Sequence, residues 1–244
     1  MGPALAMARL YLRNSVFKPR AFLVLALVVV NVIVAMIVRS ELDDPAHRIE
    51  DMINDMVLGF VLPFTALIYG IAIIRDEVDN GTLPYLLMRP IPRSAFYLGR
   101  MGAAVVCVMV VALTCTLLNS VLLGASAQMA PMSVVLGALT YVAIYAAIST
   151  FFSRPFMVAI LLTLAERGLS EIPIAGAYAS VRANLVNIAG LEKPDALQEN
   201  IEQLLDAGVD VSTSYGIVLG LLAASVAIGL SLFERQEFTG EVKE

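Results

Sequence analysis

IIRDEVDNGTLPYLLMRPIPRSAFYLGRM, residues 73–101, joins two long apolar runs through a charged connector that carries a turn. The run before it, about Met56 to Ile74, and the run after it, about Met101 to Leu123, are each long enough as helices to cross a hydrocarbon core of roughly 30 Å. Between them, Arg75-Asp76-Glu77 closes the first run and Asn80-Gly81 makes a turn. A short helix is expected around Leu83–Met88, stopped by Pro90 and Pro92, with Arg93 and Arg100 leading into the next run. A compact connector helix with apolar and basic faces, fixed between two long spans, can dock on a soluble partner and pass on its motion.

Working outward, the same pattern recurs. Span 1 covers about 21–38, span 2 about 56–74 with Pro63 inside it, span 3 about 101–123, span 4 about 132–152 and span 6 about 214–233. Span 5, about 155–180, is broken. Its apolar run Phe156 to Ala165 is followed by Glu166, Arg167, Gly168, Glu171 and Pro173, so a helix is expected to break near Gly168–Pro173 and continue as re-entrant or outer helices. Residues 4–20 suit an interfacial helix, with Leu5, Ala8, Leu12 and Val16 on one face, Arg9 and Arg13 off it, and Pro19 at its end. Residues 194–207 read as a surface helix outside the membrane. The expected fold is an all-α membrane protein of six transmembrane helices, a single domain over 1–244.

Composition agrees: 59% of the 244 residues are hydrophobic, 15% are charged and the mean hydropathy is +0.83. A soluble domain is closer to half apolar and a quarter charged. The basic residues do not cluster with aromatics, which argues against nucleic acid as a partner. The first apolar run is too long for a secretory signal and lacks a small-x-small flank, so it reads as an uncleaved span. Cys107 and Cys115 lie eight positions apart, about 12 Å along a helix. They are too far apart for a disulfide and read as small core residues.

The basic residues orient the chain. With the N-terminus in the cytoplasm, eleven of the sixteen face inside: Arg9, Arg13, Lys18, Arg20, Arg75, Arg89, Arg93, Arg100, Arg154, Arg235 and Lys243. Such a bias marks the cytoplasmic side. It predicts a multi-pass protein of the cytoplasmic (inner) membrane with both termini inside.

The connector also resembles a known family. Glu77-x-x-x-Gly81-Thr82-Leu83, then Leu86-Leu87, Pro90-Ile91 and Arg93 with Phe96, is similar to the ABC-2 type transporter permeases, the membrane subunits of type V-like ABC exporters. The N-terminal interfacial helix, the six spans and the broken fifth span agree, as do Phe152-x-Arg154, Glu166, Pro173 and Ser180-Val181-Arg182. The resemblance implies that the connector is a cytoplasmic coupling helix, with Arg75, Glu77, Gly81, Thr82, Leu83, Leu86, Arg89 and Arg93 as the residues coupling to an ATPase. It implies a dimer of permeases driven by two copies of a separate ATPase subunit that holds ATP and Mg, and transport in the direction of export. An accessory protein outside the membrane is a further candidate partner, and membrane lipid surrounds the whole.

The chain itself lacks G-x-x-x-x-G-K-[ST]. None of its lysines (Lys18, Lys193 and Lys243) follows the required glycines, so no enzyme activity, catalytic residue or cofactor is expected in it. Glu166 and Arg167 are candidate gate or pathway residues, because ionisable groups in a span are costly and often functional; a structural pair is the competing reading. The single histidine, His47, with Met52 and Met56 is too thin for a soft-metal site, so no metal is expected.

Gly216-x-x-x-Gly220 and Ser225-x-x-x-Gly229 in span 6, and Thr114, Thr116, Asn119 and Ser120 in span 3, read as packing within the chain rather than a dimer seam. Other classes fit less well. An intramembrane protease needs catalytic groups inside the spans, whereas the histidine and the aspartates lie in loops or at span edges. A secondary carrier usually repeats its interrupted helices, and only one is interrupted here. A membrane scaffold that passes ATPase motion to a partner protein stays open.

Overall fold

The computed structural model describes residues 3–16, 20–41, 53–82, 85, 92–123, 130–170, 179–191 and 210–235. Among them the ordered elements are all helical: α1 (Pro3–Val16), α2 (Arg20–Glu41), a π-helical segment (Ile53–Val61) running into α3 (Leu62–Asp79), α4 (Arg93–Leu123), α5 (Ala130–Phe151), α6 (Pro155–Ser170), α7 (Val181–Ala189) and α8 (Val211–Arg235). Among the described residues five stretches are long and apolar enough to cross a membrane: Arg20–Ser40, Asp55–Asp79, Arg93–Leu123, Pro131–Phe151 and Val211–Arg235. They correspond to the expected spans 1, 2, 3, 4 and 6.

Pro63, which lies inside span 2, disturbs the helix in a particular way. Proline lacks the N–H an α-helix needs and crowds the carbonyl four residues back. The chain answers with nine residues of wider winding just before it, so that Pro63 falls in the first turn of α3. The Thr65 hydroxyl donates to the Val61 carbonyl at 2.7 Å across the junction.

α3 is the buried centre of the bundle. Nearly all its residues from Leu62 to Ile74 are buried, whereas α2 and α8 leave most of their apolar surface exposed, as peripheral helices in lipid do. α3 approaches α5 closely at Gly70, where an added Cβ would lie 2.9 Å from the Tyr145 Cβ and 3.3 Å from the Val142 carbonyl oxygen. Small residues at such crossings let two backbones approach in lipid, where dispersion rather than the hydrophobic effect holds helices together.

Two polar residues join α2 to α4 within this apolar setting. The Asn31 Nδ2 donates to the Asn119 Oδ1 at 3.0 Å, and both side chains are buried. Of the four polar residues expected to pack span 3, Asn119 bonds across helices. The hydroxyls of Thr114, Thr116 and Ser120 donate to carbonyls of their own helix.

The small residues of span 6 divide. Gly229 lies against the Tyr97 ring, with 2.9 Å between an added Cβ and Cζ, so it packs within the chain as expected. Gly216 and Gly220 have nothing among the described residues within 4 Å of an added Cβ.

α1 departs from its expected face. Met7 and Tyr11 form the buried centre, Ala8 and Leu12 flank it, and Leu5 is 57% exposed. The face is turned toward Tyr11 because that side chain has polar partners inside the protein, which an apolar-stripe reading does not weigh. α4 begins at Arg93, two turns before the expected start of its span, and at 31 residues is longer than a hydrocarbon core of roughly 30 Å requires. α6 runs through Gly168 to Ser170 without the expected break there. The remainder of that expected break falls in 171–178, and the surface helix over 194–207, His47 and Met52 likewise lie outside the described residues. So does the connector helix of Leu83–Met88 apart from Tyr85, which is helical and exposed.

Candidate functional site: the charged end of the bundle

The opening stretch, residues 73–101, begins with a helix end built by its own sequence. Gly81 adopts φ +64, in the left-handed region that glycine enters without a Cβ clash. The Gly81 N–H donates to the Val78 carbonyl at 3.1 Å, and the Thr82 N–H to the Glu77 carbonyl at 3.0 Å. This pair of bonds is the Schellman ending, in which the glycine turns the chain back and satisfies the last carbonyls of the helix. The Thr82 hydroxyl also donates to Glu77 Oε2. The spacing Glu77-x-x-x-Gly81-Thr82 is therefore the spacing of a helix stop.

Glu77 is turned inward. Its Oε1 accepts from Arg100 Nη1 at 2.8 Å, and the side chains are 14% and 6% exposed. The Arg100 guanidinium lies 5.1 Å from the Tyr11 ring centroid and 5.2 Å from that of Phe96. A cation over an aromatic face is attracted by the ring quadrupole, the more so when desolvated. The guanidinium of Arg20, the first residue of α2, lies 5.7 Å from the centroid of the same Tyr11 ring and pairs with Asp76 at 2.9 Å. The Tyr11 hydroxyl donates to the Tyr69 carbonyl at 2.7 Å. Burial pushes the Tyr11 phenol well above its usual pKa, with the Arg20 and Arg100 charges opposing part of that rise. The ring is thus a neutral wedge between two cations.

Two acids from the end of α3 and two arginines from the starts of α2 and α4 so converge around one tyrosine of α1. Formal charges cancel, as a partly buried cluster requires. Of the residues expected to couple to an ATPase, Arg75 pairs with Asp79 at 2.9 Å on the outer side of α3. Arg93 Nη1 donates to the Glu234 carbonyl at 2.8 Å and so ties the start of α4 to the last turn of α8. There Phe96 stacks on Phe233 with ring centroids 5.7 Å apart. Glu77, Gly81 and Thr82 form the helix stop. Leu83, Leu86 and Arg89 lie outside the described residues.

Sequence reasoning read Arg20, Asp76 and Arg100 only as charges at the ends of spans and did not single out Tyr11, so the cluster they form was missed. The signal available was one of depth: two acids close one span, and single arginines open two others at the same level.

Glu166 belongs to a second cluster, beside the middle of α5 and away from the first. Its Oε1 accepts from the Tyr141 hydroxyl at 2.8 Å and from the Arg182 backbone N–H at 3.0 Å. It therefore sits on the N-terminus of α7, where backbone N–H groups and the helix dipole favour a negative charge. Ser180 caps the same helix, its Oγ accepting from the Ala183 N–H at 3.3 Å. The Arg182 side chain reaches Asp55 Oδ1 at 2.5 Å. Arg167, the other candidate gate residue, is exposed, so the two sequence neighbours occupy different surroundings. Among the described residues no group of three His, Cys, Asp or Glu side chains is arranged to hold a metal ion.

Comparison with known proteins agrees with the bundle. No curated protein matches the chain. A family model, that of the ABC-2 family transporter protein, matches residues 10–167, from α1 through the charged cluster to Arg167. Five apolar helices of spanning length and this match over more than half of the sequence lead to one assignment: the chain belongs to the ABC-2 family of transporter membrane proteins.

Proposed function

We propose that this chain is the permease subunit of an ATP-driven exporter, working as a dimer with two copies of a separate ATPase. In this reading the chain has six spans and forms one domain. The charged end of the bundle faces the cytoplasm, as the excess of arginine there favours. The segment after Gly81 docks on the ATPase, with Leu83, Leu86 and Arg89 in contact. The chain carries no cofactor of its own; ATP and Mg belong to the ATPase.

The observation that carries this reading is the Glu77–Arg100 pair beside the Gly81 helix stop. It fastens the start of the connector to α4, and through Tyr11 to α1. A push on the connector is then passed to several helices at once, because the cluster is partly buried and its members share partners. Arg75 and Arg93 act from either side, one stiffening the end of α3 and the other holding α8. Glu166 acts structurally, fixing α7 against α5, rather than as a gate.

The test is co-purification of the tagged chain from native membranes, with mass spectrometry and an ATPase assay. A stoichiometric ATPase, weakened by Gly81→Trp, is expected. A chain that purifies alone and shows no nucleotide-linked activity would shift the reading to a secondary carrier or a scaffold.

A further inference from the structure

A groove of about 580 Å³ opens on the flank of the bundle at its charged end, between α2, α3 and the link from α5 to α6. Its floor is apolar, with Leu67, Ile68 and Ile71 of α3. Leu23 stands on one side, and Phe156 and Met157 stand on the other. These three wall residues are 61%, 53% and 60% exposed. The rim carries Arg20, Arg75 and Arg154 together with Asp76 and Asp79.

The charges of the rim do not cancel. Arg20 pairs with Asp76 and Arg75 pairs with Asp79, each at 2.9 Å. Arg154 is exposed, and among the described residues no carboxylate pairs with it. One positive charge is left over, above an apolar trough. Its depth is fixed by its neighbours: Arg20 opens α2, Arg75 lies in the last turns of α3, and Arg154 lies just before α6. All three stand at or near helix ends, the level at which membrane-spanning helices meet the headgroups.

We propose that this groove binds an anionic phospholipid of the adjoining leaflet, with its phosphate on Arg154 and an acyl chain along Leu23, Phe156 and Met157. A soluble anion would use the arginine but leave the exposed apolar walls uncovered. A neutral lipid would cover the walls but leave the net charge unmatched. An anionic lipid satisfies both, and basic pockets between membrane helices at headgroup level select such lipids. An arginine suits a phosphate because its fork offers two parallel N–H donors.

The chain contains no tryptophan, so a single one reports its own surroundings. The experiment places the full chain with Met157→Trp in nanodiscs. It compares fluorescence quenching by brominated phosphatidylglycerol with quenching by brominated phosphatidylcholine at equal mole fraction. Phe156→Trp is the second reporter should the first variant fold poorly. Phe22→Trp, an exposed residue of α2 near the same depth and outside the groove lining, is the control.

In the groove, phosphatidylglycerol is expected to be preferred about fivefold, the scale of one basic residue near a headgroup layer. The preference is expected to vanish with Arg154→Gln and to be absent at Phe22→Trp. Equal quenching by both lipids in the groove would overturn the proposal. So would a preference that survives Arg154→Gln, or an equal preference at the control position. No ATPase is present in the assay, so its failure leaves the permease reading untouched.

Discussion

Tyr11 stands between two arginines of the charged end. Its ring separates two guanidinium groups and its hydroxyl holds a carbonyl of the central helix. Tyr11→Phe keeps the ring and loses the hydrogen bond, and should cost about 1 kcal/mol. Tyr11→Ala removes the wedge and should cost about 3–5 kcal/mol, as truncation of a buried aromatic does. Thermal unfolding of the two variants in detergent checks the order; equal losses would mean that the ring contributes nothing beyond the bond.

Glu166 gives a second prediction at this scale. Glu166→Gln keeps an acceptor for Tyr141 but removes the negative charge from the N-terminus of α7. Stability should fall by about 1 kcal/mol, within the range for a helix-end charge, while the set of transported compounds stays the same. A changed set, read by transport assays in vesicles, would return Glu166 to the pathway.

Among the elements, the connections between helices depend on small or polar residues at close crossings. Gly70→Ala would press a methyl group against Tyr145 and the Val142 carbonyl, which belong to a neighbouring helix and its backbone. A loss of about 1–3 kcal/mol is expected from such overpacking. Asn119→Leu would leave Asn31 without its amide partner in an apolar setting and should cost about 1–2 kcal/mol. Both are read by thermal unfolding in a fixed detergent.

The helices themselves were legible in the sequence wherever hydropathy ran unbroken: five expected spans have counterparts of spanning length. Their ends were less legible. The early start of α4 comes from Arg93 and Phe96, which bind the last turn of α8 and so keep the helix going outside the apolar run. The winding before Pro63 was legible only as a disturbance, since a proline shows where a helix must adjust but not how. Glu77 illustrates the limit for the site. Its place in the motif was plain, but whether it faced a partner or Arg100 depended on contacts 23 residues apart. Tyr11 was passed over because an apolar-stripe reading treats tyrosine as surface, although buried polar partners can draw it inward.

For the molecule as a whole, the charges fall into two clusters of different chemistry. Arg20, Arg75, Arg93, Arg100 and Arg154 gather at one end of the bundle; Asp55 and Glu166 meet around the start of α7, one on the Arg182 side chain and the other on its backbone N–H. The central claim is that the connector is fastened to the bundle by Glu77 and Arg100, so that ATPase motion enters through that pair. A double-mutant cycle on the ATPase rate of the purified transporter tests it most directly, with Glu77→Gln, Arg100→Gln and the double variant. If the pair acts as a unit, the double variant should lose little more rate than the worse single one, giving a coupling of about 1 kcal/mol or more. Losses that simply add, or a loss with Glu77→Gln while Arg100→Gln is silent, would mean that Glu77 acts apart from Arg100 and would contradict the account.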